Sequence, residues 1–250
     1  MIGPLNRTVM WLTWRQLFAR KRIYIAAAFA LVPVVFTVFF KFTTDDQSGS
    51  RLAFFNGLSR ELIIGTLVPL AAALFGTTAF GGEVDDGTLV YLLIKPIARW
   101  RIVLSKYIVA VMSTVAVMIP ALLLPWFVLG GTELSAKVLI GYLVGGTAGA
   151  AIYCALFLSL GLASRRALVI ALIYVIGFEA VLSRNLVGVK SLSVREFAVA
   201  FSRAASSGTI EITSYVVPMT TVWTMSVILL IGALALSLRR LSRFEMAERV

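Results

Sequence analysis

Two long apolar runs are separated by the charged stretch Glu83-Val-Asp-Asp-Gly-Thr-Leu-Val-Tyr-Leu-Leu-Ile-Lys-Pro-Ile-Ala-Arg-Trp-Arg-Ile-Val-Leu-Ser-Lys106. It begins acidic, breaks at Gly87-Thr88, continues as the apolar segment 89–94, stops at Pro96 and ends basic. Charged side chains are costly in hydrocarbon, so the stretch cannot lie inside a bilayer. The Gly and Pro residues on either side of the apolar segment predict a short helix on the membrane surface, held between two spans.

The pattern within this stretch is Glu-x-x-x-Gly-Thr-Leu-x-x-Leu-Leu-x-x-Pro-x-x-Arg, with a Lys seven residues later. It resembles the first cytoplasmic loop of the ABC-2 type transporter permeases. In that family the loop carries the coupling helix that touches the ATPase. The resemblance therefore implies that the ATPase-coupling positions of this chain are Glu83, Gly87, Thr88, Leu89, Leu92, Leu93, Pro96 and Arg99.

The composition is that of an integral membrane protein. The 250 residues are 60% hydrophobic and 14% charged, whereas ordinary soluble chains are about half apolar and a quarter charged. Several apolar runs have the length of about 20 residues that spans a bilayer as a helix. They predict six spans, at about residues 23–40, 62–80, 102–129, 138–162, 167–182 and 218–238. Little sequence remains for a soluble domain, so we predict one all-α transmembrane domain over residues 1–250.

Two amphipathic segments accompany these spans. Between Pro4 and Arg22 apolar residues recur at helical spacing, which predicts an interfacial helix or, alternatively, the cytoplasmic start of the first span. Ser193-Val-Arg-Glu196 is a capping box at the start of a second helical pattern that continues to about residue 204. We expect this second helix to be extracytoplasmic and to lean on the outer ends of the spans. The ABC-2 permeases similarly have short extracellular helices between the fifth and sixth spans.

The positions of Lys and Arg predict the orientation of the chain. Eight of the 23 lie on one side of the spans and fifteen on the other. The fifteen are Arg7, Arg15, Arg20, Lys21, Arg22, Lys95, Arg99, Arg101, Lys106, Arg165, Arg166, Arg239, Arg240, Arg243 and Arg249. An excess of basic residues marks the cytoplasmic side, so both termini and the stretch 81–106 are predicted to be cytoplasmic, in a multi-pass protein of the cell inner membrane. Because the basic residues flank the spans instead of forming one patch, the net charge of +11 does not indicate nucleic-acid binding.

Two acidic residues lie near the ends of predicted spans. Glu179 is in the outer third of the fifth span, and a carboxylate within a membrane helix is a candidate for a substrate path or a gate. It is also close enough to the end of the span to reach water or Arg184. Glu61 stands at the outer start of the second span, where a negative charge stabilises a helix N-terminus. We therefore take Glu179 as the functional candidate and assign Glu61 a structural role.

Small residues repeat along the fourth span. Gly141, Gly145 and Gly149 follow one another at four-residue spacing, which places them on one face of a helix. Glycines at this spacing let helix backbones approach closely. The sequence leaves open whether the partner helix belongs to the same chain or to a second subunit.

Several kinds of active site are excluded by residues that the sequence lacks. It contains no His, and its acidic residues have no metal-ligand spacing, so we predict no metal site. It contains no Gly-x-x-x-x-Gly-Lys-Ser/Thr phosphate loop and no Gly-x-Ser-x-Gly or His-Glu-x-x-His motif. We therefore predict that the chain is not an enzyme and holds no cofactor, and that ATP and Mg are bound by a partner.

Together, the residues and the resemblance predict the permease subunit of an ABC transporter. It would form the substrate path, contact membrane lipid, and pair with a second permease copy or a related permease. Separately encoded ATPase subunits would drive it, and the commoner use in the family implies export of a hydrophobic or amphipathic substrate. The alternative is a six-span membrane anchor or sensor without transport activity. An intramembrane enzyme is disfavoured because no catalytic set of residues is present.

Overall fold

The computed structural model describes residues 20–43, 48–85, 98–131, 134–164, 166–182, 192–210 and 217–247. Within these ranges the regular structure is entirely helical. The elements in chain order are α1 (Arg20–Thr43), α2 (Ser48–Gly57), the π-helical segment π1 (Leu58–Leu67), α3 (Val68–Asp85), α4 (Arg99–Val128), α5 (Ala136–Gly161), α6 (Ala167–Ile173), the π-helical segment π2 (Tyr174–Leu182), α7 (Val194–Ala205) and α8 (Met219–Ala247).

Among the described residues, four helices are long and apolar enough to cross a membrane. They cover Ser50–Val84, Arg99–Val128, Ala136–Gly161 and Met219–Ser242. Two shorter apolar helices, Ala27–Thr43 and Ala167–Glu179, lie where the first and fifth spans are predicted. The structure is thus all-helical with several membrane-length helices, as predicted, whereas the count of six spans stays a prediction.

Two predicted helices lie outside the described residues in whole or in large part. The interfacial helix predicted for residues 4–22 overlaps the structure only from Arg20, the first residue of α1. The coupling helix predicted for residues 89–94 lies between the end of α3 and the start of α4 in the sequence. Both remain predictions.

The second apolar helix begins earlier than the sequence indicates. α2, π1 and α3 follow one another without a break from Ser48 to Asp85. The π-helical turns come directly before Pro69, and the N–H of Val68 bonds to the carbonyl of Ile63, five residues back. A proline removes one helical hydrogen bond and crowds the preceding turn, and local π-helical turns are one way in which membrane helices accommodate it. Glu61 consequently lies inside a continuous helix, so its predicted place at a helix N-terminus is wrong.

α5 is the central helix of the fold. Helices α3, α4, α7 and α8 all pack against it. Its side chains Tyr142, Tyr153 and Phe157 are among the largest that are fully buried, and the rings of Tyr153 and Phe157 stack with their centroids 5.9 Å apart. Lipid is as apolar as these side chains, so tight packing between helices, more than removal from water, favours such contacts in a membrane.

Candidate functional site

Glu179 is buried in π2, and its carboxylate contacts the start of α7. Its Oε2 accepts a hydrogen bond from the Ser193 hydroxyl at 2.6 Å, and its Oε1 accepts one from the Val194 N–H at 3.0 Å. The Tyr174 hydroxyl donates to Oε1 at the longer distance of 3.4 Å. Glu179 is 0% exposed, so it does not reach out to water. A carboxylate in this position complements the positive end of the α7 helix dipole.

Ser193 has two roles at the same place. Its hydroxyl accepts a hydrogen bond from the Glu196 N–H at 3.3 Å, which makes it the N-cap that the sequence predicts. The same hydroxyl donates to Glu179. The cap therefore links the first turn of α7 to π2, a connection that the capping-box pattern alone does not reveal.

We expect Ser193→Ala to loosen the first turn of α7. Loss of an N-cap costs about 1 kcal/mol, and the lost hydrogen bond to a charged group adds about 1.5 to 3 kcal/mol. Hydrogen exchange across residues 194–204 should become faster. Thr224→Ala is the control, because the exposed Thr224 hydroxyl bonds only to carbonyls of its own helix. Unchanged exchange in the Ser193 variant would show that the cap does not hold α7.

A second carboxylate holds the next residue of α7. The guanidinium of Arg195 lies 2.6 Å from Glu61 Oε1, although Arg195 itself is only 3% exposed. Gly65 leaves the room for it, since a Cβ at position 65 would meet Arg195 Nε at 2.9 Å. We name Glu61, Glu179, Ser193, Val194 and Arg195 the α7 clamp. Its two carboxylates come from the two π-helical segments, a type of helix that often marks functional sites.

The glycine stripe of the fourth span receives α7 of the same chain. At Gly145 an added Cβ would collide with the Ser202 hydroxyl and with the carbonyl oxygen of Ala198. At Gly141 it would lie 2.6 Å from the Ser202 carbonyl oxygen, and at Gly149 2.9 Å from the Ala198 Cβ. Only glycine permits this approach of two helix backbones, so the stripe serves packing within the chain.

α7 is more deeply buried than a helix on the surface of the bundle would be. Its polar residues Arg195, Glu196 and Ser202 are all buried. From Gly141 to Gly149 the stripe extends about 12 Å along α5, at 1.5 Å per residue. α7 therefore lies alongside the first half of α5, because the glycines admit its backbone and the clamp pairs its arginine. Its position at the outer ends of the spans stays a prediction.

A further ion pair, whose lysine is buried, joins the two ends of the charged stretch quoted above. Lys106 Nζ lies 2.7 Å from Glu83 Oε2, donates a hydrogen bond to the Ala79 carbonyl at 2.5 Å, and lies 4.4 Å from the centre of the Phe80 ring. Lys106 is 1% exposed. We name the pair Glu83–Lys106 the α3–α4 joint. Charge counting treats Lys106 as one more basic residue facing the cytoplasm, and only its place in the family pattern singles it out.

Of the remaining predicted coupling positions, one lies within the described residues and six lie outside them. Arg99 is exposed in the first turn of α4. The positions outside the described residues are Gly87, Thr88, Leu89, Leu92, Leu93 and Pro96. Their coupling role stays a prediction. Among the residues that the structure describes, no three of His, Cys, Asp and Glu come together in a way that would hold a metal ion.

A known protein family matches most of this chain. Residues 17–179 match the family model described as ABC-2 family transporter protein. The match covers well over half of the chain and contains the α3–α4 joint and both carboxylates of the α7 clamp, while α7 and α8 lie beyond it. A comparison with curated proteins gave no match.

Proposed function

Because the chain belongs to the ABC-2 family of transporter proteins, a family of membrane permeases, we propose that it forms the substrate path of an ABC exporter. Separately encoded ATPase subunits bind ATP and Mg and drive it. The chain is accordingly a transport subunit and not an enzyme. The substrate is hydrophobic or amphipathic, as is commoner in the family.

The observation that carries the proposal is the position of the coupling stretch. Residues 86–97 connect α3 and α4, and both helices pack on the central helix α5. A force applied to this stretch by a partner therefore acts directly on the core of the bundle. The resemblance of Glu83 to Arg99 to the family's coupling loop supports the ATPase as that partner.

The proposed setting is the inner membrane, with both termini and residues 81–106 in the cytoplasm. The distribution of basic residues supports this orientation. α7 and its clamp are then on the outer half of the protein, since α7 follows the odd-numbered fifth span.

For Glu179 we propose a gate role in preference to direct substrate contact. Its carboxylate is occupied by Ser193 and Val194 at the start of α7, and α7 is the element that would have to move to open an outer exit. Release of α7 would require both carboxylates of the clamp to give up their partners.

Outward-facing apolar surface supports contact with lipid and with a second permease. α1 exposes Phe36 and Phe39, and α8 exposes Trp223, Ile228 and Ile231. A soluble surface would not tolerate such side chains in rows. Lipid covers the greater part of these faces, and a second copy or a related permease covers the part beside the substrate path.

Copurification tests the proposal. The tagged chain, extracted in mild detergent, should retain a protein that hydrolyses ATP and whose peptides contain a phosphate-loop sequence. Replacing residues 86–97 by a Gly-Ser linker of equal length should release it, whereas the same replacement of residues 211–216, which we place outside, should not. If the wild-type chain retains no such protein, or the 86–97 variant still does, the anchor or sensor function takes the place of transport.

A further inference from the structure

We propose that the α3–α4 joint makes α3 and α4 move as one body when the stretch between them is pushed. Glu83 and Lys106 are then positioning residues for coupling, and neither needs to touch the ATPase. This inference rests on the proposed function, because it supplies the mechanical step between the coupling stretch and the bundle. Glu83 acquires a role inside the chain in place of the partner contact that the resemblance implies.

The contacts of Lys106 all come from one place. Its ammonium group meets the Glu83 carboxylate, the Ala79 carbonyl and the Phe80 ring. These three groups belong to the last two turns of α3. One side chain of α4 therefore makes three contacts with the end of α3. The end of a helix carries partial negative charge on its free carbonyl groups, which adds to the attraction for the ammonium group.

The burial of Lys106 explains why this ion pair can hold the two helices together. An exposed ion pair forms and breaks easily and contributes little. Lys106 has left water, so this pair is costly to separate, because the ammonium group alone would be an uncompensated charge in an apolar surrounding. α3 and α4 therefore stay in contact at the two ends of residues 86–97 while that stretch is displaced.

The two partners are buried to different extents, and this predicts an asymmetry between variants. The Lys106 side chain is 1% exposed and the Glu83 side chain 18%. Glu83→Gln leaves a buried ammonium without an anion, whereas Lys106→Met leaves a carboxylate that can turn towards water. The double variant Glu83→Gln/Lys106→Met removes both charges at nearly constant volume, a change that is often neutral for stability.

The test compares the single and double variants in lipid nanodiscs with the copurified ATPase. The midpoint of thermal unfolding should fall most for Glu83→Gln and less for Lys106→Met. In the double variant it should return to the wild-type value. ATPase binding should persist in the double variant. The acceleration of ATP turnover by the permease should nevertheless drop about tenfold, within the range typical of coupling between sites. Lys137→Met, which alters an exposed lysine at the start of α5, is the control and should change neither quantity.

A distance measurement addresses the joint itself. Spin labels at Gly82→Cys and Ala98→Cys are placed on exposed positions at the two roots of the stretch, and Cys154 is replaced by Ala. The distance between them should be narrowly distributed and equal with and without trapped ATP, and it should broaden in the double variant. The proposal would be wrong if the wild-type distance between the labels changed on trapping ATP. It would also be wrong if the double variant kept the wild-type distance and the wild-type ATP turnover.

Failure of the proposed function has a different signature. In that case the wild-type permease neither binds nor accelerates an ATPase, while the distance between positions 82 and 98 still reports whether Glu83 and Lys106 hold the helices together. A wild-type distance that is narrow and that broadens in the double variant would then leave the two residues a structural link and remove their part in coupling.

Discussion

Gly145→Ala should displace α7 and destabilise the protein. The new Cβ would collide with the Ser202 hydroxyl and the Ala198 carbonyl oxygen, and would lie 2.8 Å from the Ser202 backbone nitrogen. A hydroxyl can rotate away, but two of these three atoms are backbone, so α7 as a whole must shift. That shift would also disturb the hydrogen bonds of the α7 clamp.

The expected direction of the stability change in Gly145→Ala follows from comparing two opposing effects. Alanine is better than glycine inside a helix by about 1 kcal/mol. Overpacking of a tight contact costs about 1 to 3 kcal/mol and occasionally more, and here the collision involves a second helix backbone with little freedom to relax. We therefore expect a net loss, measured as a lower midpoint of thermal unfolding and faster hydrogen exchange across residues 194–204.

Gly232→Ala is the matched control for this substitution. Gly232 also lies inside a long helix, and nothing comes within 4 Å of a Cβ built there. The control should be neutral or slightly stabilising because only the helix propensity changes. Equal behaviour of the two variants would show that α7 does not pack into the glycine stripe.

Leu92→Asp should abolish coupling to the ATPase while the permease remains inserted and folded. The resemblance places Leu89, Leu92 and Leu93 on the apolar face of the coupling helix, and a fully covered leucine contributes about 1.5 to 3 kcal/mol. An aspartate in that face would bring an unpaired charge into the contact. The bundle should be unaffected, because α3 and α4 are held together by the α3–α4 joint at the roots of the stretch.

Two measurements decide this prediction. ATPase binding and permease-stimulated ATP turnover should both collapse in Leu92→Asp, with an unchanged midpoint of thermal unfolding. Tyr91→Asp carries the same charge on the opposite face of a helix with this spacing and should keep both activities. If the Leu92 variant binds and stimulates the ATPase like the wild type, the stretch does not face the ATPase, and an anchor or sensor becomes the better description.

Length and hydropathy predicted the apolar helices well. The third predicted span, residues 102–129, corresponds to Arg99–Val128, and the fourth, residues 138–162, corresponds to Ala136–Gly161. A span must match the thickness of the hydrocarbon core, so the length of an apolar run carries the information. The second run was less informative, because the helix extends from Ser48 through residues too polar to count as a span.

The candidate site was predicted only in its components. Glu179 was singled out because a carboxylate is rare inside a membrane helix, but its partners were not. Arg195 entered the sequence analysis only as one of the eight basic residues on the outer side of the spans, although it is buried against Glu61. Partners that are distant along the chain leave no periodic signal, so pattern reasoning could not pair them.

By itself the sequence determined the helical class, the apolar helices, the Ser193 cap and the resemblance to ABC-2 permeases. These depend on residues within one or two turns of each other, or on the length of a run. Only the tertiary structure decided that α7 lies in the glycine stripe of α5 and that Lys106 turns inward to Glu83. The physical reason is that a charged residue faces water or a buried partner according to what the neighbouring helix offers, and the choice of that neighbour belongs to the packing of the bundle.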